Sequence, residues 1–191
     1  MNDAPEAPAS DDARPALERP RPGSRADEAT LTAIYEERRA EMFGFLLRMT
    51  RDRDVADDLL QDTFTRLIKE ARAGRMPDEV RAWLYRVAAN AAISRSRRGS
   101  ALQRLLPRLL DRREPVWPEG EALRAERTSD LDAALAELAP DGRAALVLAA
   151  QGFTGREIAD SIGRTEGATR TLMCRSRIQV RHRLEAEEGQ G

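Results

Sequence analysis

Apolar side chains recur every three or four residues along most of the chain, which is the spacing of one face of an α-helix. This pattern predicts a first helix over residues 28–50. Asp52 is suited to cap a second helix that runs to about Ala73, because its carboxylate can accept a backbone N–H of the first turn. After a break at Pro77, the same spacing predicts a third helix over residues 79–98.

A helix-turn-helix is predicted over residues 153–177. Thr154 and Glu157 have the spacing of a capping box, which opens a short helix that ends at Gly163. From residue 164 to 183 there are six arginines against one acid, so the second helix can enter a major groove of DNA. The alternative is an ordinary helical hairpin whose basic face is solvated.

The helical pattern is interrupted between the two halves of the chain, where three prolines fall within residues 99–128. We therefore predict an all-α protein made of two small helical domains joined by a flexible linker, the C-terminal one a helix-turn-helix. The predicted division is a disordered tail over 1–27, a first domain over 28–98, a linker over 99–128 with a short amphipathic piece at 102–110, and a second domain over 129–187.

Composition fits a helical protein of the cytoplasm. Of the 191 residues, 34% are charged and only 4% are aromatic, which argues against an all-β sandwich or barrel. Cys174 is the single cysteine, so an intramolecular disulfide framework and a multi-cysteine zinc site are excluded. The longest apolar run is far shorter than a membrane span, and no signal peptide is readable, so we expect a cytoplasmic protein.

The net charge of −1 hides an uneven distribution. The segment RAWLYRVAANAAISRSRR, residues 81–98, has five arginines and no acid. Trp83 and Tyr85 stand among these arginines, and such a mixture suits single-stranded nucleic acid, whose bases stack on aromatic rings. The alternative is that Trp83 belongs to the core and that the arginines are solvated.

An acidic face lies on the second predicted helix, opposite its apolar stripe. Asp54, Asp58 and Asp62 are spaced four residues apart there, and Gln61 lies beside them. Such a face can dock on a basic partner, lie in solvent or bind a metal. Metal binding is the weakest of these interpretations, because the one histidine, His182, lies far along the chain and no second element supplies ligands.

Three motifs in one order resemble the extracytoplasmic-function (ECF) group of bacterial sigma factors, within the sigma-70 family. The motifs are VADDLLQDTFTRLI, RAWLYRVAAN and EIADSIGRTEGATRTLMCRSR, and the resemblance covers about residues 28–98 and 129–185. It implies that the first motif docks on core RNA polymerase, that the second melts and reads the promoter −10 element, and that the helix-turn-helix reads the −35 element as duplex. Where the family usually has Gly-Thr-Val after the turn, this chain has Gly167-Ala168-Thr169.

The resemblance assigns side chains to three surfaces. Polymerase docking falls on Asp54, Asp57, Asp58, Gln61 and Asp62. Binding of the −10 element falls on Arg81, Trp83, Tyr85, Arg86, Asn90, Arg95, Arg97 and Arg98. Binding of the −35 element falls on Arg164, Thr165, Glu166, Thr169, Arg170, Thr171, Arg175 and Arg177.

The resemblance implies core RNA polymerase and promoter DNA as partners, and it makes an anti-sigma factor a plausible third. We predict no enzymatic activity, no catalytic residue, no metal, no cofactor and no small-molecule substrate. Two other classes stay open at this point. A helix-turn-helix regulator that acts without polymerase would use residues 129–187 but leave the acidic face without a role. A metal-dependent hydrolase would use Asp54, Asp58 and Asp62.

Overall fold

A computed structural model describes the backbone of residues 27–105 and 122–188, and the side chains of residues 27–99 and 130–186. The predicted tail up to residue 26 and the centre of the predicted linker lie outside the described residues. Within the described ranges the chain forms helices and no strand, so the all-α prediction is confirmed. The helices are α1 (Glu28–Thr50), α2 (Arg53–Arg72), α3 (Val80–Leu105), α4 (Ala122–Glu137), α5 (Pro140–Ala150), α6 (Gly155–Ile162) and α7 (Glu166–Glu188).

The first two helices begin where their capping residues predict. Asp27 accepts the backbone N–H of Thr30 at 2.8 Å and so caps α1. Asp52 accepts the N–H of Val55 at 3.0 Å and caps α2, as predicted. Between them, Arg51 takes a left-handed conformation with φ of 57°, which ends α1 and turns the chain back on itself.

Helical structure extends into both ends of the predicted linker range. Helix α3 continues through Gly99 to Leu105, and α4 begins at Ala122 rather than at Ser129. A glycine inside a helix costs about 1 kcal/mol relative to alanine, which the adjoining helical turns can absorb. The first proline after α3 is Pro107, so the chain meets no residue before it that forbids helix.

The helix-turn-helix forms as predicted. The Thr154 hydroxyl accepts the N–H of Glu157, and the Glu157 carboxylate accepts the N–H of Thr154, so the capping box that opens α6 is complete. The Thr154 hydroxyl also donates to the Glu157 carboxylate at 2.7 Å, and this bond, followed by the one from the Thr154 N–H, holds the pKa of Glu157 below its ordinary value. Gly163 ends α6 at a φ of 67°, a conformation that glycine adopts without strain, and the Thr165 hydroxyl accepts the N–H of Ala168 at the start of α7.

The N-terminal domain (α1–α3) and the C-terminal domain (α4–α7) pack against each other and share a core. Helix α3 is central, because it contacts α1 and α2 on one side and α5 and α6 on the other. Fully buried side chains from both domains meet around it: Phe45, Leu84, Tyr85, Leu148 and Ile158.

Two further contacts fix the C-terminal domain. The Arg143 guanidinium donates to the carbonyls of Leu135 and Ala136 near the end of α4, and to that of Met49 near the end of α1, at 2.6–2.9 Å. Helices α5 and α7 approach so closely at Gly142 that a Cβ there would collide with the Ser176 hydroxyl.

Candidate polymerase-binding and DNA-binding surfaces

The acidic face of α2 is exposed along its whole length. We call it the docking stripe: Asp54, Asp57, Asp58, Gln61 and Asp62, all exposed to solvent. The opposite face of α2 is buried in the core. Its apolar residues recur every three or four positions and so lie on one side of the helix, away from the stripe: Ala56, Leu60, Phe64, Leu67 and Ala71. The sequence therefore fixes which face of α2 is available to a partner.

An apolar groove adjoins the docking stripe between α1 and α2. It has a volume of about 540 Å³, and Leu31, Tyr35, Phe64 and Ile68 contribute to its wall, with Gln61 at the side of the stripe. Tyr35 is 38% exposed and packs edge-on against Phe64, with ring centroids 4.9 Å apart. The stripe and the groove together form an amphipathic surface, which suits a helical partner that has both basic and apolar side chains.

The −10 residues predicted on α3 differ in how far their side chains are exposed, and some also contact the protein itself. Trp83 is half-buried and packs against the core, while Arg98 donates back to the carbonyl of Ser94 on its own helix at 3.2 Å. Those that face solvent are Arg86, Asn90, Arg95, Arg97 and Arg98.

Tyr85 departs from its predicted place on a DNA-binding surface, because its side chain is fully buried. Its ring lies 5.0 Å from that of Phe45 in the N-terminal domain and 4.9 Å from that of Phe153 in the C-terminal domain. Burial, and then the nearby Glu41 carboxylate, raise the pKa of the Tyr85 phenol. In this arrangement Tyr85 cannot stack on a base.

Arg81 is likewise engaged between the domains. Its guanidinium donates to the backbone carbonyl of Gln151 at 2.8 Å and to the Glu41 carboxylate at 3.2 Å, and it lies over the ring of Phe153 at 4.5 Å. Although burial acts in the opposite direction, the Tyr85 hydroxyl and the Arg81 guanidinium lower the pKa of Glu41. The charge of Arg81 is thus already partnered by protein.

Asp141 joins the two predicted DNA-binding surfaces. Arg97 of α3 donates to both of its carboxylate oxygens, at 2.7 and 2.9 Å. Arg164, in the turn before α7, donates to the same carboxylate from Nε at 2.9 Å. The Asp141 side chain is only 6% exposed, whereas those of Arg97 and Arg164 are 62% and 42% exposed.

The predicted −35 residues lie on α7 and the turn before it, and all but one are exposed. The exception is Thr169, which is 1% exposed and faces inward, so its side chain does not lie on the exposed surface of α7 in this structure. Its hydroxyl has no hydrogen-bond partner. The exposed members are Arg164, Thr165, Glu166, Arg170, Thr171, Arg175 and Arg177.

Sequence reasoning missed the residues that connect the domains. The local sequence pattern does not predict their long-range contacts. These residues are Glu41, Asp141, Arg143 and Phe153. The one available signal is Asp141 itself, an acid directly after a helix-starting proline and so in the first turn of α5, where negative charge is favoured.

Two general searches of the described residues complete the description. No group of three or more histidine, cysteine, aspartate or glutamate side chains is placed there to hold a metal ion, so the docking stripe gives no geometric support to the hydrolase alternative. Among the helices of the described ranges, none combines the length and the apolar character needed to cross a membrane.

Comparison with known proteins identifies the family. Sigma-70 region 2 matches residues 34–101 and sigma-70 region 4 matches residues 128–180, which together cover more than half of the chain. The ECF RNA polymerase sigma factor SigX of Bacillus subtilis is 24% identical over 83% of this chain and 85% of its own length. The chain belongs to the ECF sigma factors.

Other relatives agree with this assignment. The ECF RNA polymerase sigma factor SigE of Mycolicibacterium smegmatis is 28% identical over 85% of this chain, and the chain spans 64% of that relative's length. In fold, this ECF sigma factor resembles the sigma factor RpoE of Bartonella quintana, solved in complex with the anti-sigma factor NepR, with a TM-score of 0.62 and 23% identity over 81% of this chain and 96% of that one.

Family membership decides between the functional classes. Sigma factors are non-enzymatic transcription initiation factors, so the protein acts by binding and not by catalysis. The family region that matches the N-terminal part includes the docking stripe and most of α3, and the one that matches the C-terminal part includes the helix-turn-helix. A regulator without polymerase docking is therefore not favoured.

Proposed function

We propose that this ECF sigma factor binds core RNA polymerase through the docking stripe and the adjoining groove, and directs it to promoters through α3 and α7. The observation that carries the proposal is the exposed acidic stripe on α2 beside an apolar groove, within the segment that matches sigma-70 region 2. A solvated face needs no neighbouring groove, whereas a docking face gains affinity from one.

The −10 element is proposed to meet α3 as melted single strand. Arg86, Asn90, Arg95 and Arg98 are exposed along this helix and offer charge and hydrogen bonds to the strand. Trp83 is half-buried and packs against the core, so part of its side chain is already covered by protein. Permanganate footprinting of the −10 region with Asn90→Ala reads this role, since normal melting would remove α3 from the DNA-binding surfaces.

The −35 element is proposed to meet α7 as duplex. The helix begins at Glu166, and side chains near the start of a recognition helix reach base edges while those further along reach phosphates. Arg170 is therefore assigned to a base, and Arg175 and Arg177 are assigned to phosphates. All three side chains are exposed.

We test the docking assignment with Asp58→Arg combined with Gln61→Ala. Both side chains are exposed, so the free energy of unfolding should change by no more than about 0.5 kcal/mol. Capture of core polymerase by the tagged sigma factor, and run-off transcription on a promoter library, should both fall sharply. Asp130→Arg, an exposed acid on α4 outside the stripe and the groove, is the matched control and should keep both activities. Equal polymerase capture by the double variant and wild type would show that the stripe does not dock.

We further propose a cytoplasmic location, since the protein must reach core polymerase and DNA there. An anti-sigma factor is proposed as a regulatory partner, supported by the fold shared with a sigma factor that was solved bound to one. Co-purification from cells before and after stress, with the sigma factor tagged, measures whether a second protein leaves it as transcription begins.

A further inference from the structure

The apolar groove between α1 and α2 lies at the point where the preceding chain joins the protein. Glu28, the first residue of α1, lines it together with Arg72 at the end of α2. Tyr35 and Phe64 form an aromatic part of its wall, and Tyr35 is 38% exposed. The residues before Asp27 are therefore tethered at one end of the groove.

Residues 14–25 have a composition that matches this surface. Their sequence, RPALERPRPGSR, contains four arginines against one acid, and the dipeptide Arg-Pro occurs in it three times. Proline-rich segments bind grooves lined with aromatic rings, because fixing them in the polyproline II conformation costs little entropy. The segment thus offers apolar rings to the groove and positive charge to the acidic docking stripe that adjoins it.

The aspartates of the docking stripe have no basic partner among the residues that the structure describes. None of the four forms an ion pair there, whereas Glu70 on the same helix pairs with Arg75 at 2.8 Å. The hydrogen bond that Gln61 donates to Asp57 comes from a neutral amide and is long, at 3.4 Å. Arginines brought to the stripe from outside the described ranges would therefore relieve the repulsion among its like charges.

The tether is long enough to bring an arginine to the stripe. Asp58 lies 14 residues before Arg72 on α2, which is about 21 Å along the helix. Arg19 lies eight residues before Asp27, and eight residues in the polyproline II conformation span about 25 Å. A segment that starts at Asp27 and follows the groove can therefore place Arg19 at the level of the stripe.

We propose that residues 14–25 fill the groove and pair with the docking stripe in the free sigma factor, so that core polymerase must displace them in order to bind. The competition rests on the proposed function, because it takes the stripe and the groove to be the polymerase-binding surface. A tethered segment has an effective concentration of about 1 mM. Even with an intrinsic dissociation constant of about 0.1 mM, the segment would lower the apparent affinity for polymerase about tenfold.

Paramagnetic relaxation enhancement locates the segment without polymerase or a promoter. A nitroxide spin label is attached at Ala16→Cys in the full-length protein, in a Cys174→Ser background, and the amide signals of an isotope-labelled chain are followed. The spin label should weaken the signals of α2 along the stripe and the groove. Arg19→Glu combined with Arg21→Glu should restore these signals, because the reversed charges are repelled by the stripe. Signals weakened equally in this variant and in the labelled chain without it would overturn the proposal.

Two controls make the relaxation measurement specific. Arg156→Glu combined with Arg181→Glu makes the same charge change at exposed positions of the C-terminal domain, and should leave the signals of α2 weakened. A mixture of spin-labelled and isotope-labelled molecules should show full signals, because the contact lies within one chain. Weakened signals in the mixture would mean that a second copy fills the groove, which would overturn the proposal.

Polymerase binding tests the competition itself. Titration of core polymerase should show that Arg19→Glu combined with Arg21→Glu binds about tenfold more tightly than wild type, since the segment no longer occupies the surface. Equal affinity of the two proteins would overturn the competition. Failure of the proposed function is seen separately: Asp58→Arg combined with Gln61→Ala would then bind polymerase as wild type does, while the relaxation measurement would still report where the segment lies.

Discussion

Replacement of Thr169 by valine should stabilise this sigma factor. Thr169 is 1% exposed, and its hydroxyl has no hydrogen-bond partner. Leaving a buried donor unsatisfied costs about 1–3 kcal/mol, and valine has the same shape without the hydroxyl. We expect Thr169→Val to raise the free energy of unfolding by about 1 kcal/mol, which for a chain of this size raises Tm by about 2–4 °C.

Thr63 provides the matched control. It is equally buried, at 1% exposure, but its hydroxyl donates to the carbonyl of Leu59 at 2.7 Å. Thr63→Val therefore loses a hydrogen bond and should gain no stability. Urea unfolding of both variants, compared at equal m-values, measures the difference. A Thr169→Val protein no more stable than wild type would mean that the hydroxyl has a partner after all, and a changed −35 sequence preference would restore Thr169 to the DNA-binding surface.

Three more predictions concern single residues. Gly142→Ala should destabilise the protein by about 1–3 kcal/mol in urea unfolding, because the new Cβ collides with the Ser176 hydroxyl, and Ser176→Ala should restore most of the loss; failure of this rescue would locate the strain elsewhere. Arg170→Ala should relax the −35 preference at one position of a transcribed promoter library, whereas Arg177→Ala should weaken all promoters alike and lower the salt slope by about one unit; an unchanged preference for Arg170→Ala would end its base-reading role. Burial raises the pKa of Asp132 above 3.8, against the opposing charges of Arg48 and Arg51, so ionisation destabilises the fold at neutral pH. Asp132→Asn should be more stable than wild type there, and the gain should vanish as the pH falls through the raised pKa towards 3.8; a gain independent of pH would exclude the charge as its cause.

The sequence is sufficient for features that depend on neighbouring residues. Asp52 and the Thr154–Glu157 capping box act within one turn of helix, so the helix starts they predict are confirmed. The apolar stripe of α2 likewise identifies its exposed face without any tertiary information. The apolar spacing predicts that the third helix ends at residue 98, whereas α3 passes through Gly99 and continues to Leu105.

Features that depend on distant residues escaped prediction. Arg97 and Asp141 are 44 residues apart, and their pairing follows from how two domains pack, which no periodicity encodes. The inward face of α7 was obscured for another reason. Its core positions include Thr169 and Ser176, so polar residues interrupt the apolar stripe, and Thr169 was mistaken for a surface residue.

The two cross-domain contacts of α3 differ in how they depend on the residue that supplies the acceptor. Arg81 donates to the main-chain carbonyl of Gln151, so almost any residue can replace Gln151 without removing the acceptor. Arg97 depends on the side chain of Asp141, so a single substitution there removes its acceptor. A substitution at position 141 therefore removes one cross-domain contact of α3, whereas a substitution at position 151 leaves the other in place.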